Sequence, residues 1–173
     1  MSSTDNIERE IRSSIRRLRD AIKDNVKTLD NYVQLIFLLL MFLVEYRYSQ
    51  KEHDGALSRL KCYFEEAKRK YGNDSEFLFF LGYLIPIAEC YFDIDDVSDA
   101  YQMLERAMLA SPENILYKWA YYSSLNPDSK KVHILEKMLV TQPNLGLNWL
   151  KSKGMLGVYI IGMIEKSSLG ELP

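Results

Sequence analysis

Apolar residues recur at helical intervals along the whole of this chain. Ile7, Ile11, Ile15, Leu18, Ile22 and Val26 follow one another at steps of 4, 4, 3, 4 and 4, which draws one stripe down a single helix face. Asp5, with Glu8 three residues on, has the spacing of an N-cap for that helix. The run Val33 to Val44, broken only by Gln34, predicts a helix buried on all sides, from about Leu29 to Tyr48. A turn at His53–Gly55 then leads into an amphipathic helix through Ala56, Leu60, Tyr63, Phe64 and Ala67. Gly72-Asn73-Asp74 is the expected stop, because glycine and asparagine tolerate the left-handed backbone of a helix end. Ser75 to Phe92 reads as another apolar helix and Val97 to Ala110 as an amphipathic one. Ser111 before Pro112, and Asn126 before Pro127, have the form of an N-cap with proline in the first turn. They predict helices near residues 113–124 and 129–141. Gln142-Pro143-Asn144 precedes a last helix over about 148–166. No alternating stretch competes for a sheet, so the expected fold class is all-α with about eight helices.

A gapless internal repeat appears at an offset of 44. Leu40, Leu43, Val44, Glu45, Tyr48, Ala56 and Leu60 lie over Leu84, Ile87, Ala88, Glu89, Phe92, Ala100 and Leu104. Each copy reads as a helix pair with a small residue, Ala56 or Ala100, at the crossing. Such a pair must bury its open face against a neighbouring pair. In the second copy, Leu84, Ile87, Ala88, Tyr91, Ala100, Leu104, Ala107 and Pro112 stand at the spacing of the tetratricopeptide repeat, which this unit resembles. The first unit keeps Leu40, Leu43, Ala56 and Leu60 but has Tyr63 where the family has a small residue. The third offers Leu116, Trp119, Ala120, Leu135, Met138 and Pro143. Pro86 departs from the pattern and predicts a kink. The resemblance implies stacked antiparallel helix pairs, a degenerate solenoid, whose usual task is to hold a protein segment. The expected organisation is one domain over 1–173: a leading amphipathic helix (1–28), helix-pair repeats (29–143) and a terminal capping helix (144–173).

Composition narrows the class without naming a partner. The 173 residues are 47% apolar and 27% charged, which excludes a disordered chain. Twenty-two basic against 24 acidic side chains leave a net charge of −2, so no global attraction to nucleic acid is expected. Two cysteines build no disulfide framework and point to reduced thiols. The amino-terminal residues show no signal-peptide pattern. The longest apolar run rises about 18 Å as helix, short of a bilayer core. A cytoplasmic protein with no membrane association is the expectation.

Candidate chemistry is sparse. His53 and His133 read as exposed helix-end residues without zinc-ligand spacing, and Cys90 as a buried small hydrophobe. Gly154, Gly157 and Gly162 match no phosphate loop and read as close-packing positions. Asp93, Asp95, Asp96 and Asp99 lack the turn glycine and closing glutamate of a calcium loop. They read either as capping carboxylates or as an acidic docking patch for a basic partner. Arg9, Arg12, Arg16, Arg17, Arg19, Lys23 and Lys27 share the first helix with interleaved acids; the isoleucine stripe makes it a packing element first, with nucleic acid or anionic lipid as the rival ligand. Neither a cofactor, a metal nor a small-molecule substrate is expected.

The aromatic content, 12% of the chain, is the most suggestive feature. In the tetratricopeptide family the first helices line the concave face. By that resemblance Glu45 and Tyr48, Glu89 and Phe92, and Tyr117 and Tyr121 would line a groove, with Asp93, Asp95 and Asp96 beside it. Together these nine residues are the expected partner-binding set. The expected function is a non-enzymatic binding protein that occludes one cognate protein. An acidic edge beside an aromatic face in a stand-alone chain resembles, in style, a bacterial immunity protein that neutralises a toxin, often a basic nuclease. A tetratricopeptide-type secretion chaperone holding an effector peptide is one alternative, and a regulatory nucleic-acid-binding helical protein is another.

Overall fold

Prolines, glycines and capping side chains decide where the helices of this protein stop. The computed structural model describes residues 3–46, 48–94 and 96–168, with side chains from residue 6 onward. Among the described residues there are nine α-helices and no strand: α1 (Ser3–Lys23), α2 (Leu29–Glu45), α3 (Gln50–Tyr71), α4 (Ser75–Leu84), α5 (Ser98–Ala110), α6 (Ile115–Leu125), α7 (Lys130–Thr141), α8 (Leu147–Lys151) and α9 (Gly154–Ser168). The all-α class and the order of helices follow the periodicity; the ends differ from it where local chemistry intervenes.

Asp5 lies inside α1, two residues past its start, and so is not its N-cap. The helix stops at Lys23, Asn25 takes a left-handed φ of 65°, and Val26, the last member of the stripe, is left exposed. His53–Gly55 is helix, not turn. The Ser49 hydroxyl accepts the Glu52 N–H while the Glu52 carboxylate accepts the Ser49 N–H, a capping box that starts α3 earlier than its apolar positions suggest. Asn114 and Ser129, not Ser111 and Asn126, cap α6 and α7. Pro86 does more than kink its helix. Without an N–H it ends α4 at Leu84, and the chain continues through 3-10 turns at Ile85–Ile87 and Glu89–Tyr91. That turn exposes Cys90, which the apolar pattern places inside. The predicted terminal helix is two, α8 and α9, separated at Gly154 with φ 57°.

The helices sort into two compact units, one built from Met1–Gly72 with Leu84–Asp95 and the other from Asn73–Tyr83 with Asp96–Pro173. In the first, α2 packs against both α1 and α3. Apart from Gln34, its residues from Tyr32 to Leu43 are all buried. α1 contributes Ile11, Leu18 and Ile22 to this core, and α3 contributes Ala56, Leu60, Phe64 and Ala67. Only an apolar helix can sit between two amphipathic ones, because both of its faces are removed from water.

In the second unit the segment 73–83 supplies Phe77, Leu78, Phe79, Phe80 and Leu81, all buried. Around them α5 packs on α6, α6 on α7, and α9 on both α7 and α8. Trp149 stacks on Phe80 at 5.4 Å, and Trp119 lies 5.6 Å from Tyr83. A Cβ added at Gly82 would stand 2.8 Å from the Ala100 carbonyl oxygen, so α4 and α5 cross with almost no space between their backbones. Ala100 is fully buried at that crossing, and Ala56 is buried in the other unit. Small residues at helix crossings and sequential helix packing are compatible with a helical repeat-like fold.

Candidate functional site

The first unit carries a cleft of about 370 Å³ where α1 and α3 flank the same part of α2. Its floor is apolar: Ile15 from α1, Leu39 and Phe42 from α2, and Ala56 from α3. Its rim is cationic. Arg12, Arg16 and Arg19 recur at steps of 4 and 3 along α1, and Lys51 and Arg59 face them from α3. Glu52 is the one carboxylate in the lining, against five cations.

The arrangement grows out of local capping. One oxygen of Glu52 is held by the start of α3, accepting the Ser49 N–H at 3.1 Å, and its other oxygen receives the Arg12 guanidinium at 3.1 Å. Arg12 also bonds Glu8 one turn earlier, at 2.8 Å through Nε, and lies 4.6 Å over the Phe42 ring. One arginine therefore joins α1, α2 and α3. Partial burial pulls its protonation downward, but the bonds to Glu8 and Glu52 outweigh that and hold it above the ordinary arginine value. Arg19 pairs with Asp20 at 3.1 Å. Arg16, Lys51 and Arg59 are exposed and have no carboxylate partner among the described residues. Three cations thus converge on the cleft with their charge uncompensated.

The Ser49 N–H, followed by the Ser49 hydroxyl and Arg12, holds the Glu52 carboxyl below its ordinary value of 4.5. The Ser98 N–H at the start of α5 does the same for Asp96, below 3.8. A depressed folded-state pKa means stability that is complete above the ordinary carboxylate value and is lost as pH falls through the folded one. Through these two exposed caps the protein is expected to lose a small part of its stability as the solution is acidified below about pH 4. In urea titrations across that range, Glu52→Gln with Asp96→Asn should flatten the slope; an unchanged slope would show that neither cap matters.

Of the nine expected partner-binding residues, Glu45, Tyr48, Glu89, Phe92 and Asp93 belong to the first unit and Asp96, Tyr117 and Tyr121 to the second. Glu45 is exposed in the last turn of α2, and Glu89 is exposed on a 3-10 turn. Tyr48 is half-buried, stacked 5.3 Å from Phe42 and 5.3 Å from His53, with its hydroxyl donating to the Leu43 carbonyl. His53 is accordingly part of an aromatic cluster with Tyr48 and Tyr91, not a free helix end. Phe92 is 3% exposed and meets Phe64 edge-on at 5.2 Å. Tyr117 is 6% exposed and stacks on Phe79 at 4.9 Å, and its burial pushes the phenol up to about 12. These two rings are core, which corrects the expectation that they face a partner. Asp93 is exposed but bonded by Lys61 at 2.6 Å, and Asp96 caps α5 by accepting the Ser98 N–H at 2.8 Å. Asp95 lies outside the described residues. Tyr121 is half-buried, its hydroxyl donating to Glu105 at 3.1 Å.

A second titratable cluster is structural. Glu136, 1% exposed, accepts from Trp119 Nε1 at 3.2 Å and from Ser167 Oγ at 2.6 Å, with His133 Nδ1 at 3.2 Å. A buried carboxylate persists only with such partners, and here they tie α6, α7 and α9 together. No group of His, Cys, Asp or Glu among the described residues could hold a metal ion, and no helix there is long and apolar enough to cross a membrane. Comparison with protein-family models, with curated proteins and with solved structures found no match to this chain.

None of the residues lining the cleft is among the nine expected partner-binding residues. Arg12, Arg16 and Arg19 belong to the basic helix that sequence reasoning singled out, and their helical spacing was available as a signal. Lys51, Glu52 and Arg59 had no signal of their own, because their role depends on which helix lies opposite.

Proposed function

We propose that this chain is a non-enzymatic binding protein of a tetratricopeptide-like kind, which grips a segment of one protein partner in the α1–α3 cleft and masks that partner's working site. The observation that carries this reading is the convergence of Arg16, Lys51 and Arg59, free of carboxylate partners among the described residues, around half-buried Ile15, which is the open part of the apolar floor above buried Leu39, Phe42 and Ala56. The floor belongs to helices cross-tied by Arg12, so the backbone that carries the three cations is held in place, and binding must order only their side chains. Occlusion of a toxin, as immunity proteins act, is the mode we favour. The electrostatics turn the expected partner face from basic to acidic, since Asp93 and Asp96 are already engaged within the fold.

The nucleic-acid reading has less support. Phe42 is the aromatic ring in the cleft, and Arg12 covers its face, so no stacking platform is open to a base.

Co-purification from the native host, comparing the tagged chain with its Arg16→Glu, Arg59→Glu double variant, tests the reading. One protein is expected to accompany the wild type in stoichiometric amount, to rebind when purified, and to be lost with the variant. Nucleic acid in place of protein, or a partner bound equally by both forms, would refute it.

A further inference from the structure

The cleft's chemistry specifies its occupant more closely than "a protein". We infer that it takes an extended acidic peptide segment in which carboxylates flank one apolar side chain; this rests on the binding function proposed above. Arg16 stands on α1, whereas Lys51 and Arg59 stand on α3, so uncompensated cations border the apolar floor from both sides. A ligand with a single anionic group would leave one bank unanswered. A purely apolar ligand would strip water from three charges and return nothing. A segment with an aliphatic or aromatic residue between acidic ones answers both banks and the floor together. Arginine suits the task, because its planar fork gives a carboxylate two parallel hydrogen bonds.

Size disfavours a nucleic-acid helix. A volume of about 370 Å³ sits at the small end of ligand pockets, enough for one or two side chains and not for a nucleic-acid helix. Glu52, the one carboxylate in the lining, is paired with Arg12, so the charge open to a ligand sits at Arg16, Lys51 and Arg59. An extended peptide avoids that carboxylate by placing its acidic residues at Arg16 and Arg59. Arg9 and Arg17, two cations of α1 that lie off the cleft, border a separate surface hollow and take no part.

The experiment is to pan random octapeptides on phage against the full chain, then to measure the affinity of the enriched sequence as a fluorescein-labelled peptide. Enriched sequences should be acidic around a central apolar residue. Binding should weaken by about tenfold or more for each of Arg16→Glu and Arg59→Glu, since a hydrogen bond to a charged group is worth a decade or more. It should weaken further with added salt. Arg9→Glu with Arg17→Glu, an equal change in net charge to the double cleft variant, should leave it within about twofold. Basic or neutral enriched sequences, no enrichment at all, or equal loss with the Arg9/Arg17 control would overturn the inference. So would a short single-stranded polyuridylate that displaces the peptide. The failures are separable: a native partner lost with Arg16→Glu, Arg59→Glu while the enriched peptides are not acidic leaves the occlusion function standing and removes only the occupant.

Discussion

Gly157→Ala is expected to lower the melting temperature by about 6–12 °C, the equivalent of roughly 3 kcal/mol for a chain of this size. A Cβ at Gly157 would stand 1.7 Å from the Leu150 carbonyl oxygen and 2.6 Å from its carbon. Both are backbone atoms of α8, and that oxygen already accepts the Lys153 N–H at 2.8 Å, so it has no room to retreat. The methyl would push α9 off the corner where Leu156, Ile160 and Ile164 are buried. Gly162, further along the same helix, is the natural control. Nothing lies within 4 Å of a Cβ there, so Gly162→Ala should raise stability by about 0.4–1 kcal/mol by restricting the unfolded chain. Thermal unfolding of the two variants by circular dichroism checks the pair, and similar shifts would mean that the α8–α9 corner is not packed this closely.

Tyr117→Ala should cost about 3 kcal/mol, close to the usual loss for truncating a buried aromatic ring. It would leave a void beside Phe79, which also meets Trp149 at 6.1 Å. Tyr121→Ala, one helical turn on, should fall within about 1 kcal/mol, because it removes a half-buried ring and a hydrogen bond to an exposed carboxylate. Urea unfolding separates the two. Equal destabilisation would contradict the burial difference, while loss of partner binding with an unchanged midpoint for Tyr117→Ala would return that ring to an interface. Reading the chain alone, Tyr117 and Tyr121 are equivalent, as they share one face of α6. The structure separates them because the face is covered at one end by Phe79 and left half-open at the other.

How far the sequence could be read follows from what each signal contains. The step pattern in α1 and the unbroken apolar run in α2 report burial directly, so Ile11, Leu18, Ile22 and the residues from Leu35 to Leu43 were legible as core. Ala100 was legible as a crossing point for a related reason: a small side chain on an apolar stripe has value where two backbones approach, as Gly82 and Ala100 do. Phe92 misled, because after Pro86 the helical phase that would have turned it outward no longer applies. Of the two readings of the aspartates, Asp96 takes the capping one by accepting the Ser98 N–H, while exposed Asp93 pairs with Lys61.

By itself the sequence determined the helical class, the order of the helices and the core residues of α2, since periodicity is a property of one segment and of the water around it. Only the tertiary structure decided where the function is proposed to reside. Arg16 and Arg59 are 43 positions apart, and they border one cleft because α1 and α3 both settle on α2. An amphipathic stripe states that a face must be covered; it carries no record of which neighbour covers it, nor of what charges that neighbour brings alongside.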